Sequence, residues 1–273
     1  MDKAMIFGIY DFVSFQMGRA LLNMGLEVIG IHIDENNHTP YLEEKRLEVG
    51  RNANFREILL SELDTCREVD TTKTTLILSL YDLYMLSDET IFQKQTVTKL
   101  QQFIEGNKSL TDIVFLLPIQ LLVPDGANSL RTVINEAIAW GKNNQFYYLP
   151  AIYGPWQPST YTFQQALLAN MDSSEIRVNK REWTGDILYV DDAVEAILVS
   201  NENLTVEDNR HFLIESGLEN YWVQCAAQLK LETKEIYPEK LDIDQTISRV
   251  TVKKVTPFSE SFEKQIEMTR RLI

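Results

Sequence analysis

The stretch Gly8-Ile9-Tyr10-Asp11-Phe12-Val13-Ser14 stands between a short apolar run and an amphipathic one. In a parallel α/β protein this is the turn that grips the pyrophosphate of a dinucleotide. That chemistry needs backbone N–H groups at a helix N-terminus and glycines that let the anion come close. Gly8 holds the first glycine position and allows the tight turn. Asp11 stands where the second glycine would admit the anion, and Ser14 where the third would let helix and strand pack closely. A carboxylate at a helix start is favoured by the macrodipole by about 0.3–1 kcal/mol. Asp11 therefore either caps the helix or takes the donors that pyrophosphate needs. Both readings weaken dinucleotide binding.

Other reactive groups are sparse. His32, His38 and His211 have no metal-ligand spacing, so no metal site is expected. Cys66 and Cys225 form no CxxC motif and no disulfide framework. No tyrosine lies between Tyr84 and Tyr147, and Lys108 is the only lysine between Lys99 and Lys142. An acidic residue after the second strand would bind a dinucleotide's adenosine ribose. Asp34 could do so, or it could be an ordinary loop residue.

These residues need a scaffold. Residues 4–7 are apolar and end at Gly8, and 15–24 carry apolar residues at helical spacing up to Gly25. Residues 28–33 form a second strand, which completes a βαβ unit. Further strands are expected at 57–60, 75–80, 113–117 and 145–152, with helices at 88–105 and 129–142. Strands alternating with helices imply a doubly wound parallel sheet of about six or seven strands. After Pro155 the rhythm loosens. Helices are expected at 161–169, 191–199 and 220–229, with a strand at 211–214 and a more polar tail from 231. The expected division is a Rossmann-type domain over 1–155 and a smaller mixed lobe over 156–273, part of which returns to the core.

The chain has 273 residues, 44% hydrophobic and 24% charged, with a net charge of −14. An acidic surface repels phosphate backbones and anionic lipid, so nucleic acid and membrane are not expected partners. No signal peptide or membrane span is visible, which points to a cytoplasmic protein.

Three stretches together resemble the extended short-chain dehydrogenase/reductase family, the NAD-dependent epimerases and dehydratases that modify nucleotide sugars. The first runs from Phe7-Gly8 through Arg19-Ala20-Leu21-Leu22 to Gly25-Leu26-Glu27-Val28-Ile29-Gly30. The second, Ile152-Tyr153-Gly154-Pro155, is similar to the family's Val-Tyr-Gly-Pro turn. The third and most specific is Gly185-Asp186-Ile187-Leu188-Tyr189-Val190-Asp191-Asp192, which resembles the family's Arg-Asp-Phe-Ile-Tyr-Val-Asp-Asp. Thr256-Pro257-Phe258 resembles the start of its closing helix. The resemblance implies a Rossmann-type sheet with a C-terminal substrate lobe. It places Gly8, Phe12, Val13, Asp34 and Leu80 against a cofactor.

The resemblance also implies a Tyr, a Lys four residues later and a Ser or Thr after the fifth strand. Those positions fall on Asn128, Thr132 and Pro118 or its neighbours. None titrates near neutrality, so none can do general acid–base work. The chain therefore looks like a degenerate member that binds, senses or scaffolds, with NAD(P) binding weak or absent and a nucleotide or nucleotide sugar as a possible ligand. The alternative is an active enzyme using Tyr10, Tyr147, Tyr148 or Tyr153. Trp156, Tyr161 and Trp183 could line a crevice or pack the lobe. Val133, Ile134, Ala137 and Ile138 could support a homodimer or cover the sheet.

Overall fold

A computed structural model describes residues 1–33, 41–65, 72–88, 90, 93–123, 128–172, 175–202, 210–231, 241 and 243–272. Two compact units emerge. The first comprises 1–117 and 125–147, the second 118–124 and 148–273.

In the first unit the chain alternates β1 (Lys3–Phe7), α1 (Phe12–Asn23), β2 (Glu27–His32), α2 (Leu42–Val49), β3 (Phe55–Leu59), β4 (Thr74–Ser79), α3 (Leu80–Leu86), α4 (Lys94–Gly106), β5 (Leu110–Pro118), α5 (Asn128–Ile138) and β6 (Asn143–Leu149). Strand order is β3-β2-β1-β4-β5-β6. β1 pairs in parallel with both β2 and β4, Phe7 standing opposite Ile31 and Leu78. β1 and β4 are buried throughout, as strands covered on both faces must be. The order reverses between β1 and β4, and at such a switch point the crevice beyond the strand ends opens. The loops after β1 and β4 therefore share one place.

The second unit contains β7 (Ala151–Tyr153), α6 (Thr162–Asp172), β8 (Ile187–Tyr189), α7 (Val190–Glu202), β9 (His211–Glu215), α8 (Tyr221–Gln228), β10 (Ser248–Thr251) and α9 (Phe258–Leu272). β7 pairs with β8 and β9 with β10, both in parallel. Among the described residues the main sheet counts eight strands, one more than the expected upper figure. The extra strand, β10, falls in the stretch read as polar tail, because half its residues face solvent. No described helix is long and apolar enough to cross a membrane.

The helix starts differ most from expectation. α1 begins at Phe12, close behind the turn. Residues 75–80 were expected as one strand, but Leu80 opens α3. Ser79 is its N-cap, and its hydroxyl accepts from Asp82 N at 3.3 Å. That is the Ser-x-x-acid capping pattern. α2 was not expected at all, since its sequence LEEKRLEV has almost no apolar stripe.

Two acids of the third resembling stretch, Asp186 and Asp192, serve as internal bolts. Asp186 accepts from Ser216 N at 2.7 Å, Ser216 Oγ at 2.6 Å and Ile187 N at 2.8 Å. Asp192 accepts from Thr256 N at 2.7 Å and Thr256 Oγ1 at 2.6 Å. Glu182 receives Thr162 N, at the start of α6, at 2.9 Å.

Glu182 generates a pH prediction. Burial raises its pKa to about 7, against the opposing bonds from Thr162. A raised carboxylate binds more protons in the folded chain. Its stabilising contribution is full below about 4.5 and is lost as pH rises through about 7. Glu182→Gln keeps the acceptor and removes the titration. Urea unfolding at pH 5 and 8 should show the variant gaining on wild type as pH rises, by about 2–3 kcal/mol. An equal difference at both pH values would refute the assignment.

Candidate functional site: the turn between β1 and α1

Gly8 ends β1 with φ +65°, and a Cβ there would collide with Asp11 Oδ2. Gly8 N donates to Ile31 O at 2.9 Å, and Asp11 N to Gly8 O at 2.8 Å, which closes the tight turn. Asp11 occupies the N-cap position of α1, yet its side chain makes no capping hydrogen bond. Contrary to both expectations, Asp11 neither caps the helix nor takes the Val13 and Ser14 amides.

The capping acid is Asp82, from the first turn of α3. Val13 N donates to its two oxygens at 3.0 and 3.1 Å, and Ser14 N to Oδ2 at 3.0 Å. Ser79 Oγ lies 2.8 Å and Ser14 Oγ 3.3 Å from the same oxygen. Asp82 is 0% exposed. A helix N-terminus offers its N–H groups to one anion at a time. Here that anion is part of the protein.

Lys45, from α2, lies buried beside this group. Its Nζ donates to Tyr10 O at 2.6 Å and stands 5.5 Å from the centre of the Phe15 ring. Burial lowers its pKa to about 8, while the charges of Asp11 and Asp82 hold it up. Burial raises the Asp82 carboxyl, opposed by the bonds from Val13, Ser14 and Ser79 and by Lys45. Asp11 is also held well above the usual carboxylate range, by burial first and by the Asp82 charge second. Asp82 accepts from Val13, Ser14 and Ser79, which oppose the rise, whereas Asp11 makes no capping bond.

The other expected cofactor residues are placed as follows. Phe12 and Val13 are fully buried in the first turn of α1, and Val13 contributes its N–H to Asp82. Leu80 is buried at the start of α3, two residues before Asp82. Asp34 lies outside the described residues. His32 is buried with its ring edge-on to Tyr10, centroids 5.4 Å apart.

The tyrosines proposed as substitute catalysts are engaged elsewhere. Tyr10 OH donates to Glu57 Oε2 at 2.6 Å, and Arg46 binds the same carboxylate at 2.7 and 3.2 Å. Burial and the Glu57 bond push the Tyr10 pKa up. Tyr153 is fully buried with its hydroxyl 2.6 Å from Ser261 Oγ, and burial raises it strongly. Tyr148 OH sits 3.0 Å from His211 Nδ1, and Tyr147 OH donates to Gln145 Oε1 at 3.3 Å. Thr132, at the implied Lys position, is exposed on α5. Trp156 and Tyr161 are buried, and Trp183 borders a cavity in the second unit. Among the described residues no group of three or more His, Cys, Asp or Glu could hold a metal.

No protein-family model matches the sequence, and no curated protein matches it. Solved structures do. UDP-glucuronic acid 4-epimerase from Bacillus cereus, in complex with UDP-glucuronic acid and NAD, aligns at TM-score 0.71 and 13% identity over 99% of this chain and 100% of that one. The chain has the fold of NAD-dependent epimerases and dehydratases. WbmH from Bordetella bronchiseptica, in complex with NAD⁺, aligns at 0.66 with 14% identity over 99% of each chain. TunA, an NAD-dependent NDP-hexosamine 5,6-dehydratase of tunicamycin biosynthesis, aligns at 0.65 with 13% identity over 99% of this chain and 98% of that one. At these identities the likeness concerns the fold.

The two buried acids at this turn differ in role. Asp82→Ala leaves the buried N–H groups of Val13 and Ser14 without an acceptor, at about 1–3 kcal/mol each. Urea unfolding should show a loss of about 2–5 kcal/mol. Asp11→Ala, which breaks no capping bond, should stay within about 1 kcal/mol of wild type. The reverse ranking would show that Asp11 is the cap.

Proposed function

We propose that the chain is a non-catalytic protein on the epimerase/dehydratase fold, which binds, senses or scaffolds and does not hold NAD(P) at its pyrophosphate turn. The observation that carries this reading is the Asp82 carboxylate on Val13 N and Ser14 N. A pyrophosphate would have to displace that buried anion and then sit beside it. Coulomb repulsion between like charges in a poorly solvated site opposes this by several kcal/mol. The residues present do not fit the cofactor's diphosphate.

The catalytic side points the same way. Asn128, Thr132 and Pro118 offer no group that exchanges a proton near neutral pH. Tyr10 is held protonated by burial and by Glu57, and Tyr153 by burial, against the opposing Ser261 bond. A tyrosine serves as a general base only when a nearby cation lowers its pKa. The alternative, an active NAD(P)-dependent enzyme on non-standard residues, draws support from the likeness, over nearly the whole chain, to enzymes solved with NAD. In that alternative, the Asp34 carboxylate would repel a 2′-phosphate and favour NAD over NADP.

Calorimetric titration with NAD⁺ and NADP⁺ should show no tight binding, and sub-micromolar affinity for either would contradict the proposal. Incubation with UDP-, dTDP- and GDP-sugars plus NAD⁺ should give no product by mass spectrometry. Loss of acid–base assistance alone costs about 10²–10⁴-fold. Turnover that vanishes in Tyr153→Phe or Tyr148→Phe would establish the alternative.

A further inference from the structure

Helix α2 touches the β1–α1 turn through Lys45, yet it is not held there by an apolar face. Within LEEKRLEV only Lys45 and Val49 are buried. The links of α2 to β3 and α1 are polar. Arg46 binds Glu57 at 2.7 Å and stands 5.6 Å from the centre of the Tyr10 ring, and Glu48 pairs with Arg19 at 3.1 Å. Partly exposed ion pairs of this kind hold a helix weakly. Its N-cap residue, Tyr41, has left-handed backbone at φ +61° and makes no side-chain capping bond. A helix with so little buried apolar surface opens before the core does.

We propose that α2 is a lid on the β1–α1 turn, latched by Lys45, whose closing takes up one proton at the Asp11–Asp82 pair. Opening bares the crevice at the switch point, so pH sets access to it. The inference goes beyond the binding reading above and does not depend on which ligand the crevice takes.

Charge balance is the ground for the proton. Lys45 is 0% exposed, its Nζ donates to Tyr10 O at 2.6 Å, and the charges acting on it are those of Asp11 and Asp82. Two carboxylates and one ammonium leave one negative charge over. An uncompensated interior charge is costly. One proton on the pair makes the closed cluster neutral, and it belongs to the pair. Burial raises both carboxyls. At Asp11 the charges of Asp82 and Asp88 add to the rise, and Lys45 opposes it at each.

With α2 open, Lys45 reaches water, the carboxyls are hydrated and the proton leaves. A carboxyl raised in the closed form favours closure fully below its ordinary range, near 4. That contribution is lost as pH rises through the raised value. Lys45, lowered by burial to about 8, acts in the opposite sense, but only above about 8, because below it the ammonium is charged in both forms. Between pH 6 and 8 closure therefore weakens as pH rises, by at most about tenfold per unit for one proton. Glu57 is held below the ordinary range by Arg46 and Tyr10 despite burial, while burial raises Tyr10 and Tyr41. On α2 itself Glu43, Glu44 and Glu48 are exposed. Histidine is the other residue type that changes charge between pH 5 and 8. His32 sits edge-on to Tyr10 and faces the Glu57 charge, so it needs its own control.

The test is hydrogen–deuterium exchange of the full chain without ligand at pH 6 and 8, corrected for the intrinsic rate of unprotected amides. Amides 45–49 of α2 should exchange ahead of amides 17–22 of α1. Their protection should fall by about three- to a hundredfold from pH 6 to 8, with α1 changing less. Asp11→Asn, which breaks no capping bond, should flatten this dependence and leave α2 better protected than wild type at pH 8. His32→Gln should keep the wild-type slope. Exchange of α2 no faster than that of α1, protection of α2 independent of pH, an Asp11→Asn slope as steep as wild type, or a flat slope in His32→Gln would each overturn the proposal. Because no NAD⁺ is present, failure of the binding reading in the calorimetric titration leaves this test untouched.

Discussion

One carboxylate, Asp82, closes the N-terminus of α1 from the neighbouring helix. The interaction depends on topology, because residues 13 and 82 meet only through the side-by-side pairing of β1 and β4. It also depends on Ser79, whose hydroxyl both starts α3 and bonds the Asp82 carboxylate. The switch-point crevice, which in this architecture is the natural place for a ligand, is thus braced from within. A helix dipole that would otherwise meet a phosphate meets a side chain.

Burying that charge has consequences around it. A lone carboxylate in a protein interior is costly, and partners must offset the cost. Val13, Ser14 and Ser79 supply donors, and Lys45 supplies a buried opposite charge. Asp11, crowded against the same cluster, is driven toward its neutral form. The same economy recurs in the second unit. Asp186 and Asp192 are held by backbone and hydroxyl donors of Ser216 and Thr256, and these two acids of the most specific resembling stretch act as fasteners.

Much of the fold was legible because buried parallel strands announce themselves as short apolar runs, as in residues 4–7, 28–33 and 113–117. The turn at Gly8 was legible for a similar local reason. What escaped was carried by α2 and α3. α2 is charged at most positions, so Lys45 looked like one more surface lysine, although it is 0% exposed. α3 begins with Leu80-Tyr81, which reads as continuation of an apolar strand. The Ser79-x-x-Asp82 spacing was the available signal for its start. Nothing local could show that Asp82 also reaches Val13, since that depends on which strands are neighbours. Asp11 sits in the turn itself, but closeness along the chain to Val13 and Ser14 does not put its carboxylate on their amides.

The central claim is that Asp82, and not a ligand, satisfies the Val13 and Ser14 amides. The most direct measurement is the pair of amide resonances of Val13 and Ser14 in a ¹H–¹⁵N spectrum. Both should lie downfield, move upfield together in Asp82→Ala, and stay in place when NAD⁺ or pyrophosphate is added to the wild-type chain. If NAD⁺ shifts both resonances in wild type, or Asp82→Ala leaves them unmoved while the chain stays folded, the helix terminus is open to ligand and the account is contradicted.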